Sequence, residues 1–555
     1  MPIDVSKAGG RRPSRKWLPR RAAIPGLWLL ICIASMPICS SAQCSTSQSN
    51  AIYAKGMALA RQRQWKEAHQ ALLKGERLCP KQKRFPIELA GVAFEQKQYP
   101  EAAAWLRKGL KLDPNDRYAN NFAGTVYFLM GNLPAALKYW NRIGKPQIYS
   151  LNLDHELRIS PLILGRAFTF SPAALLTEQQ FQTTRVRLKG LGIFPSYRIE
   201  LSPRPNGSFD ANFHALERNG FGSSRLASAF AVLSGLPYET IYPSYYNIRN
   251  SAMNVTSLLR WDDQKRRVWV KLSAPPHDLP QWRWRVTFDA RDENWAIRRS
   301  FTGTAPVLGS LNLQRQVAGF SLTDYMTGHL RWSTGAELSH RSYRDVQDGT
   351  ALTPDIVLPG MELKYLLSMT GKPIDMPQRR LTVTTGIYSQ TGRIWSNPSH
   401  MFEKLQGLTL LRWFPSQDSN RWEVKQEVRG GGLLGASPFD ELFMLGVERD
   451  NSLWLRGDIG VRDGRKGSSP LGTRYLLANS DVYRRLYSNG LIDIQAGPLF
   501  DVGRMGAPNP GLATSQWLFD TGIEARITVL GTRVVLTWGH DLRTGNNAVF
   551  GMADR

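Results

Sequence analysis

From residue 281 to residue 291 the chain reads QWRWRVTFDAR. Trp282, Trp284, Val286 and Phe288 fall on one parity, and Arg283, Arg285, Thr287, Asp289 and Arg291 on the other. A period of two predicts a strand whose two faces meet different surroundings. The same alternation recurs in RVWVKLSA, MELKYLLSM, RLTVTTGIYS, RWEVKQEVR, GIEARITVL and RVVLTWGHD. Clusters of Gly, Pro, Asn and Asp separate these runs, and the helical signal disappears from residue 225 onward. Residues 225–555 have room for about 16 strands of ~10 residues each, with their loops.

Two surroundings fit such strands. A soluble sheet would bury the tryptophans and hydrate the arginines, whereas a membrane barrel would turn the tryptophans to lipid and the arginines to a wet lumen. In NRWEVKQEVR the polar set is Arg421, Glu423, Lys425, Glu427 and Arg429, and in HLRWSTGAELSHR it includes Arg331, Glu337 and Arg341. One Arg or Lys turned toward mid-bilayer costs about 2–4 kcal/mol, so these strands have a single register in a membrane. The expectation is a transmembrane antiparallel β-barrel with Trp282, Trp284, Val286 and Phe288 facing lipid. Alternation by itself also suits a soluble sandwich or propeller.

Upstream the period changes. Residues 49–148 repeat every 34 positions: Ala68, Ala102 and Ala136 recur in step, as do Leu72, Leu106 and Trp140, and Pro80 with Pro114. Gly56, Gly124 and Tyr127 fill further positions, with Ala90 where the intervening glycine belongs. Around them KEAHQALLKGERL, PEAAAWLRKGLKL and PAALKYWNRI carry apolar residues at i, i+3 and i+4. The pattern resembles the tetratricopeptide (TPR) repeat, a helical hairpin that stacks into a concave surface for protein or peptide ligands. The expectation is a TPR α-solenoid over residues 43–148.

Between the repeats and the strands, ILGRAFTF reads as a strand, LTEQQFQTTRVRLKGLG as a helix ending at glycine, and SYRIELSPRPNGSFDANFHALERNG as a hairpin turning at Pro205-Asn206-Gly207. This β-α-β-β order over residues 157–219 resembles a POTRA domain, the periplasmic module of the BamA/TamA outer-membrane assembly-factor superfamily. That family places two helices between its first strands, and the span holds little more than one.

The formal charge of +26 points to an anionic partner, but seven of the basic residues crowd into residues 1–42 against Asp4 alone. The remaining surplus is scattered among acids, so no nucleic-acid partner is expected. That basic segment precedes the apolar IPGLWLLICIASMPIC and the small residues SSAQ, the layout of an export signal over residues 1–42, with Ser40 and Ala42 before the cut. Cys44 and Cys79 are the cysteines left after the cut, and an oxidising compartment permits them to join.

Two late segments resemble motifs of the same superfamily. FDELFMLGVERDNSLWLRGD, residues 439–458, is similar to its long sixth extracellular loop, with Arg456-Gly457 at the tip, Leu455 in place of Val and Asp458 in place of an aromatic. GPLFDVGRM carries Asp501 and Gly503 in register with a Phe-x-Asp-x-Gly motif on a late barrel strand, Leu499 replacing Phe. The resemblance implies that the loop folds into the lumen, that Arg456 pairs with Asp501, and that Gly457 and Gly503 let backbones approach. Asp481 and Asp493 are nearby in sequence and compete for the same arginine. The family also ends on an aromatic, whereas this chain ends NNAVFGMADR, with its last strand stopping at Phe550 or delivery tolerating another ending.

No histidine spacing, nucleophile motif or phosphate loop marks a reaction, so the chain reads as a non-enzyme without cofactors. The resemblance implies insertion or translocation of other proteins at the outer membrane, with lipid around the barrel and clients or accessory proteins at the periplasmic modules. The alternatives are a passive pore or receptor, and a secreted soluble TPR-containing binding protein.

Overall fold

The structure, a computed structural model, describes residues 44–299, 304–347, 349, 351–417, 419–489, 491–506, 512, 515–529 and 532–554. The proposed export signal lies outside the described residues.

Six helices open the chain in three hairpins: α1 (Thr46–Arg61) with α2 (Trp65–Leu78), α3 (Arg84–Glu95) with α4 (Tyr99–Leu112), and α5 (Arg117–Leu129) with α6 (Leu133–Trp140). Small residues set the spacing. Ala68, Ala102 and Ala136 have no exposed surface, and a Cβ added at Gly124 would overlap the Trp140 indole. Pro80 falls in the turn after α2 and Pro114 in the turn after α4. Cys44 and Cys79 form a disulfide with Cα atoms 5.3 Å apart, tying the start of α1 to the end of α2. Between hairpins, the Lys83 ammonium lies 2.6 Å from a carboxylate oxygen of Asp113 and of Asp116.

A small α+β unit follows, made of β1 (Ile148–Leu153), α7 (Pro161–Ala167), α8 (Glu178–Leu191), β2 (Ser196–Pro203) and β3 (Phe209–Leu216). Its sheet has the order β1-β3-β2, with β1 parallel to β3 and β2 antiparallel to it. Two expectations change here. The segment ILGRAFTF forms no strand: Pro161 starts a helix, where its missing N–H costs nothing, and Ile163, Leu164 and Ala167 share the buried face. The first strand is instead Ile148–Leu153, so the unit begins before residue 157 and holds two helices between its first strands. A box of hydrogen bonds between Thr177 and Gln180 starts α8, and left-handed Gly192 ends it. The small unit shares one hydrophobic core with α3–α6.

The helix α9 (Arg225–Leu233) comes next, against the expectation that helices end at residue 225. After it run β4 (Thr240–Ile241), β5 (Ser244–Ile248), β6 (Met253–Asp262), β7 (Lys265–Ala274), β8 (Trp282–Ile297) and β9 (Gly309–Asp324). Then come β10 (Leu330–Gln347), β11 (Gly360–Met376), β12 (Leu381–Trp395), β13 (His400–Trp413) and β14 (Trp422–Gly435). A long loop carries the short β15 (Phe443–Met444), β16 (Val461–Arg462), β17 (Arg465–Lys466) and β18 (Leu471–Gly472). The chain ends with β19 (Arg474–Ser488), β20 (Ile492–Gly506), β21 (Trp517–Val529), β22 (Thr532–Asp541) and β23 (Asn547–Asp554). The last strand thus runs past Phe550, so that residue does not terminate it.

These strands curl into a barrel in which β23 comes round beside β4. Because β4 and β5 both pair with β6, they are one strand broken at Pro243, while β16 and β17 belong to the loop. The wall therefore has fifteen antiparallel runs among the described residues, one fewer than the sequence led us to expect.

Side-chain direction follows the alternation. Val286 and Phe288 are 45% and 46% exposed on the outer face and Trp422 is 39% exposed, whereas Arg283 and Glu423 are each 5% exposed inside. Trp282 and Trp284 share the outer parity, and Trp282 meets Trp332 edge-on at 5.5 Å. No described helix is long and apolar enough to cross a membrane.

The N-terminal units rest on one end of the barrel. Asn132 Nδ2 donates to the Pro377 carbonyl at 2.9 Å, and Lys138 Nζ to Gln378 Oε1 at 3.0 Å, in the turn between β11 and β12. From α8, Thr183 accepts from the Gly328 N–H at 3.0 Å.

Replacing Gly124 by alanine should force the Trp140 indole aside and cost about 1–3 kcal/mol, seen as a lower melting temperature of the helical signal in circular dichroism. Gly91→Ala, with only the Glu88 carboxylate within 4.0 Å of the new methyl, should raise it slightly. Acid gives a second check. The Lys83 hydrogen bond holds the Asp113 carboxyl below its ordinary value of 3.8. Its stabilisation is therefore complete above that value and lost as pH falls through the depressed one. Lys83→Met should flatten this acid limb of the melting curve.

Candidate functional site

Strands β14 and β19 pair directly, from Trp422 with Arg484 to Gly432 with Arg474, so residues 436–473 leave the wall and must return to it. This loop turns inward. Phe439, Phe443, Leu445 and Leu455 are buried in one cluster with the wall residues Trp295, Leu311, Phe402 and Leu477. Under the loop the inner face thus carries apolar residues alongside the charged ones that anchor it.

Three ionic anchors hold the loop. At its entry Asp440 Oδ2 lies 2.7 Å from Arg315 Nη1, and Glu441 lies 2.8 Å from Lys364 Nζ and 3.3 Å from Lys404 Nζ. In its middle Asp450 meets Lys265 and Arg267 at 2.5 Å each and Arg260 at 2.9 Å. At its tip Arg456 enters a carboxylate pocket on the strands that follow the loop.

Arg456 is 4% exposed and every face of its guanidinium is used. Nε donates to Asp501 Oδ2 at 2.8 Å and Nη2 to Asp501 Oδ1 at 2.5 Å, a two-point fork. The Arg456 N–H adds a third bond to Asp501 Oδ2 at 3.1 Å. Nη1 reaches Asp481 Oδ1 at 2.7 Å and Glu524 Oε2 at 3.1 Å. Asn479 Nδ2 holds Asp501 Oδ1 at 2.8 Å and the Trp454 carbonyl at 2.9 Å, and the Tyr483 hydroxyl holds Glu524 at 2.7 Å. Asp501 and Glu524 are thus oriented by neighbours other than the arginine.

Glycines make the approach possible. The Gly457 N–H donates to Asp520 Oδ2 at 2.6 Å, and a Cβ there would stand 2.7 Å from Asp520 Cγ. At Gly503 a Cβ would press on Leu455 at 2.8 Å. Gly539 on β22 is a further member: a Cβ there would fall on the Arg456 carbonyl oxygen. Asp458, where the resemblance implies an aromatic, is 8% exposed, and an aromatic at this position would have to share the space around Asp520 and Asp541.

Arg456, Gly457, Asp501 and Gly503 therefore come together. Asp481 joins them rather than competing, while Asp493 pairs elsewhere, with Arg485 at 2.8 Å. Sequence reading passed over Glu524, Tyr483, Gly539 and the two other anchors. The signal was present in the acids of FDEL and VERDN, which face a lumen whose inward strand positions are rich in Arg and Lys. Among the described residues no group of three His, Cys, Asp or Glu is arranged to hold a metal ion.

No protein-family model matches the chain, and no curated protein does. Among solved structures, the chain is similar to CdiB from Escherichia coli, at 14% identity and a TM-score of 0.48, covering 74% of this chain and 76% of that one. It is also similar to CdiB from Acinetobacter baumannii, at 12% identity and a TM-score of 0.44, covering 74% and 73%. BamA from Haemophilus ducreyi lacking POTRA domains 1–3 is similar at 11% identity and a TM-score of 0.42, covering 74% and 85%.

Removing one partner of a buried ion pair costs about 3–5 kcal/mol, because the other charge stays behind. Arg456→Ala should accordingly lower the temperature at which the folded, fast-migrating form is lost in heat-dependent gel mobility. In a double-mutant cycle Arg456→Ala and Asp501→Ala should be strongly non-additive; additivity would show that they do not interact. Gly539→Ala should reproduce the Arg456→Ala defect by expelling the tip while leaving every charge in place.

Proposed function

We propose that this chain is an outer-membrane protein of the assembly or translocation type, which inserts or moves other proteins across the membrane without catalysing a covalent reaction. The observation that carries the reading is the inward loop whose Arg456 is gripped by Asp501 inside a barrel with an apolar outer face. An outer belt of Val286, Phe288, Trp422 and their equivalents suits acyl chains, since a soluble protein rarely leaves so much apolar surface uncovered. A lumen filled by an anchored loop offers little room for free diffusion, which weighs against a passive pore.

In this reading the six helices are TPR repeats and the β-α-α-β-β unit is a POTRA-like module, both in the periplasm, where they receive clients or accessory proteins. Their contact with the turn at Pro377 and Gln378 places them at the barrel end opposite the entry of the long loop. Clients would meet the repeats and the small sheet first, and the wall second. Within the wall, the seam between the first and last strands is where an incoming β-strand can add by main-chain hydrogen bonds.

Depletion of the protein, followed by an inventory of outer-membrane proteins, tests the proposal. Loss of a defined set of barrel or surface proteins is the expected result. An unchanged inventory with altered solute uptake would replace it by the pore reading. Recovery in the soluble periplasmic fraction, with no heat-dependent mobility shift, would replace both by a secreted binding protein.

A further inference from the structure

Strand β19 carries a charge on its outer face. Val482 and Leu486 are 37% and 61% exposed there, whereas Tyr483 is 1% exposed inside. Alternation puts Arg484 on the outer face with the first two. An arginine on that face is tolerated only near the edge of the hydrocarbon. Arg484 meets this condition, since it pairs with Trp422, the first residue of β14.

This edge belongs to the barrel end on which the N-terminal units rest. The helical arm touches the turn at Pro377 and Gln378. Arg380, at the end of that turn, reaches across to the turn before β14 and donates to the Ser416 and Ser419 carbonyls at 2.7 Å each. Trp413, Trp422 and Tyr487 are exposed nearby, and such side chains mark the level of the headgroups.

The turn before β14 and the end of β19 flank a cavity of about 340 Å³, lined by Ser419, Asn420, Arg421, Arg484, Arg485 and Leu486. The Arg485 N–H donates to the Arg421 carbonyl at 2.7 Å and ties the two segments together.

The lining is short of negative charge. Arg412 is neutralised by Glu423 and Arg485 by Asp493, but among the described residues no acid forms an ion pair with Arg421 or Arg484. Arg484 instead lies over the Trp422 ring, 5.6 Å from its centroid, which backs the guanidinium without neutralising it. Asn420 gives its amide oxygen to Arg380, so its amino group is what it has left to offer. Two guanidiniums, an amino group and the Ser419 hydroxyl thus face the cavity, with no carboxylate among its described lining residues.

We propose that this cavity holds the phosphodiester of an anionic glycerophospholipid from the periplasm-facing leaflet, with phosphatidylglycerol as the simplest example. A guanidinium offers a phosphate two donors at once, and Arg421 and Arg484 supply two guanidiniums. Leu486 and Trp422 continue the site on its apolar side. A headgroup amine finds no carboxylate there, so a net-anionic headgroup is selected over a zwitterionic one. The inference rests on the membrane reading above and names the lipid class that one point of the wall recognises. A lipid held there bridges the ends of β14 and β19, the two strands between which the long loop departs.

Native mass spectrometry of the full chain, released from nanodiscs of equal phosphatidylglycerol and phosphatidylethanolamine, tests it. The wild-type chain should retain phosphatidylglycerol in preference. Arg421→Gln and Arg484→Gln should each lower that enrichment roughly fivefold. Arg344→Gln removes an exposed charge near the other end of the barrel and should leave it unchanged. Retention without preference, or an equal loss in Arg344→Gln, overturns the proposal. Excess glycerol phosphate in the buffer should leave the lipid in place, and displacement by it would reassign the cavity to a soluble phosphate. A chain that enters nanodiscs and shows no preference overturns this inference alone. A chain that stays out of them overturns the membrane reading, and this inference with it.

Discussion

A guanidinium stays protonated wherever it is placed, so burying Arg456 obliges the barrel to surround it with carboxylates. Asp501, Asp481 and Glu524 come from three consecutive strands, β20, β19 and β21. The arginine can be satisfied only when those strands are side by side and the loop has turned inward. One side chain thereby couples the register of the C-terminal third of the barrel to the position of a loop nearly forty residues long. Hydrophobic burial of Phe439, Phe443 and Leu455 favours any inward conformation of that loop, whereas the two-point fork to Asp501 selects one.

The two other anchors obey the same logic with the signs exchanged. At Asp440, Glu441 and Asp450 the loop supplies the anions and the wall supplies Arg315, Lys364, Lys265 and Arg267. Desolvating so many charges is expensive, and the return in stability is small compared with the return in geometry. The loop is consequently pinned at its entry, its middle and its tip. Movement of any one anchor requires the wall behind it to move, which links the loop to the strands on both sides of the seam.

Much of this architecture could be read from residue patterns. Alternation assigned Trp422 outward and Glu423 inward because a strand has only two faces. The repeat of Ala68, Ala102 and Ala136 was visible because helix packing demands a small residue at a fixed position. The pairing of Arg456 with Asp501 was reached through a resemblance, since no local pattern links residues 45 positions apart. Two segments misled for physical reasons. ILGRAFTF has the composition of a strand, but Pro161 ahead of it starts a helix. RLASAFAVL lies in a region of strands and is apolar in either conformation, so its composition did not separate a helix from one more strand. Glu524 and Gly539 were silent because their roles depend on a loop tip 68 or more residues away in the chain.

The helical arm grips the turn at Pro377 and Gln378, between the seventh and eighth of the fifteen wall segments. That point lies about halfway round the circumference from the place where the last segment comes round beside the first. The small α+β unit, which shares a core with the arm, has its own footing beside the first segment: the Ser160 N–H donates to the Asn250 carbonyl at 2.8 Å, and Asn254 Nδ2 to the Leu191 carbonyl at 2.9 Å. Arm and small unit together span one mouth of the barrel as a crossbar, so a load applied to either footing is carried across the diameter to the other.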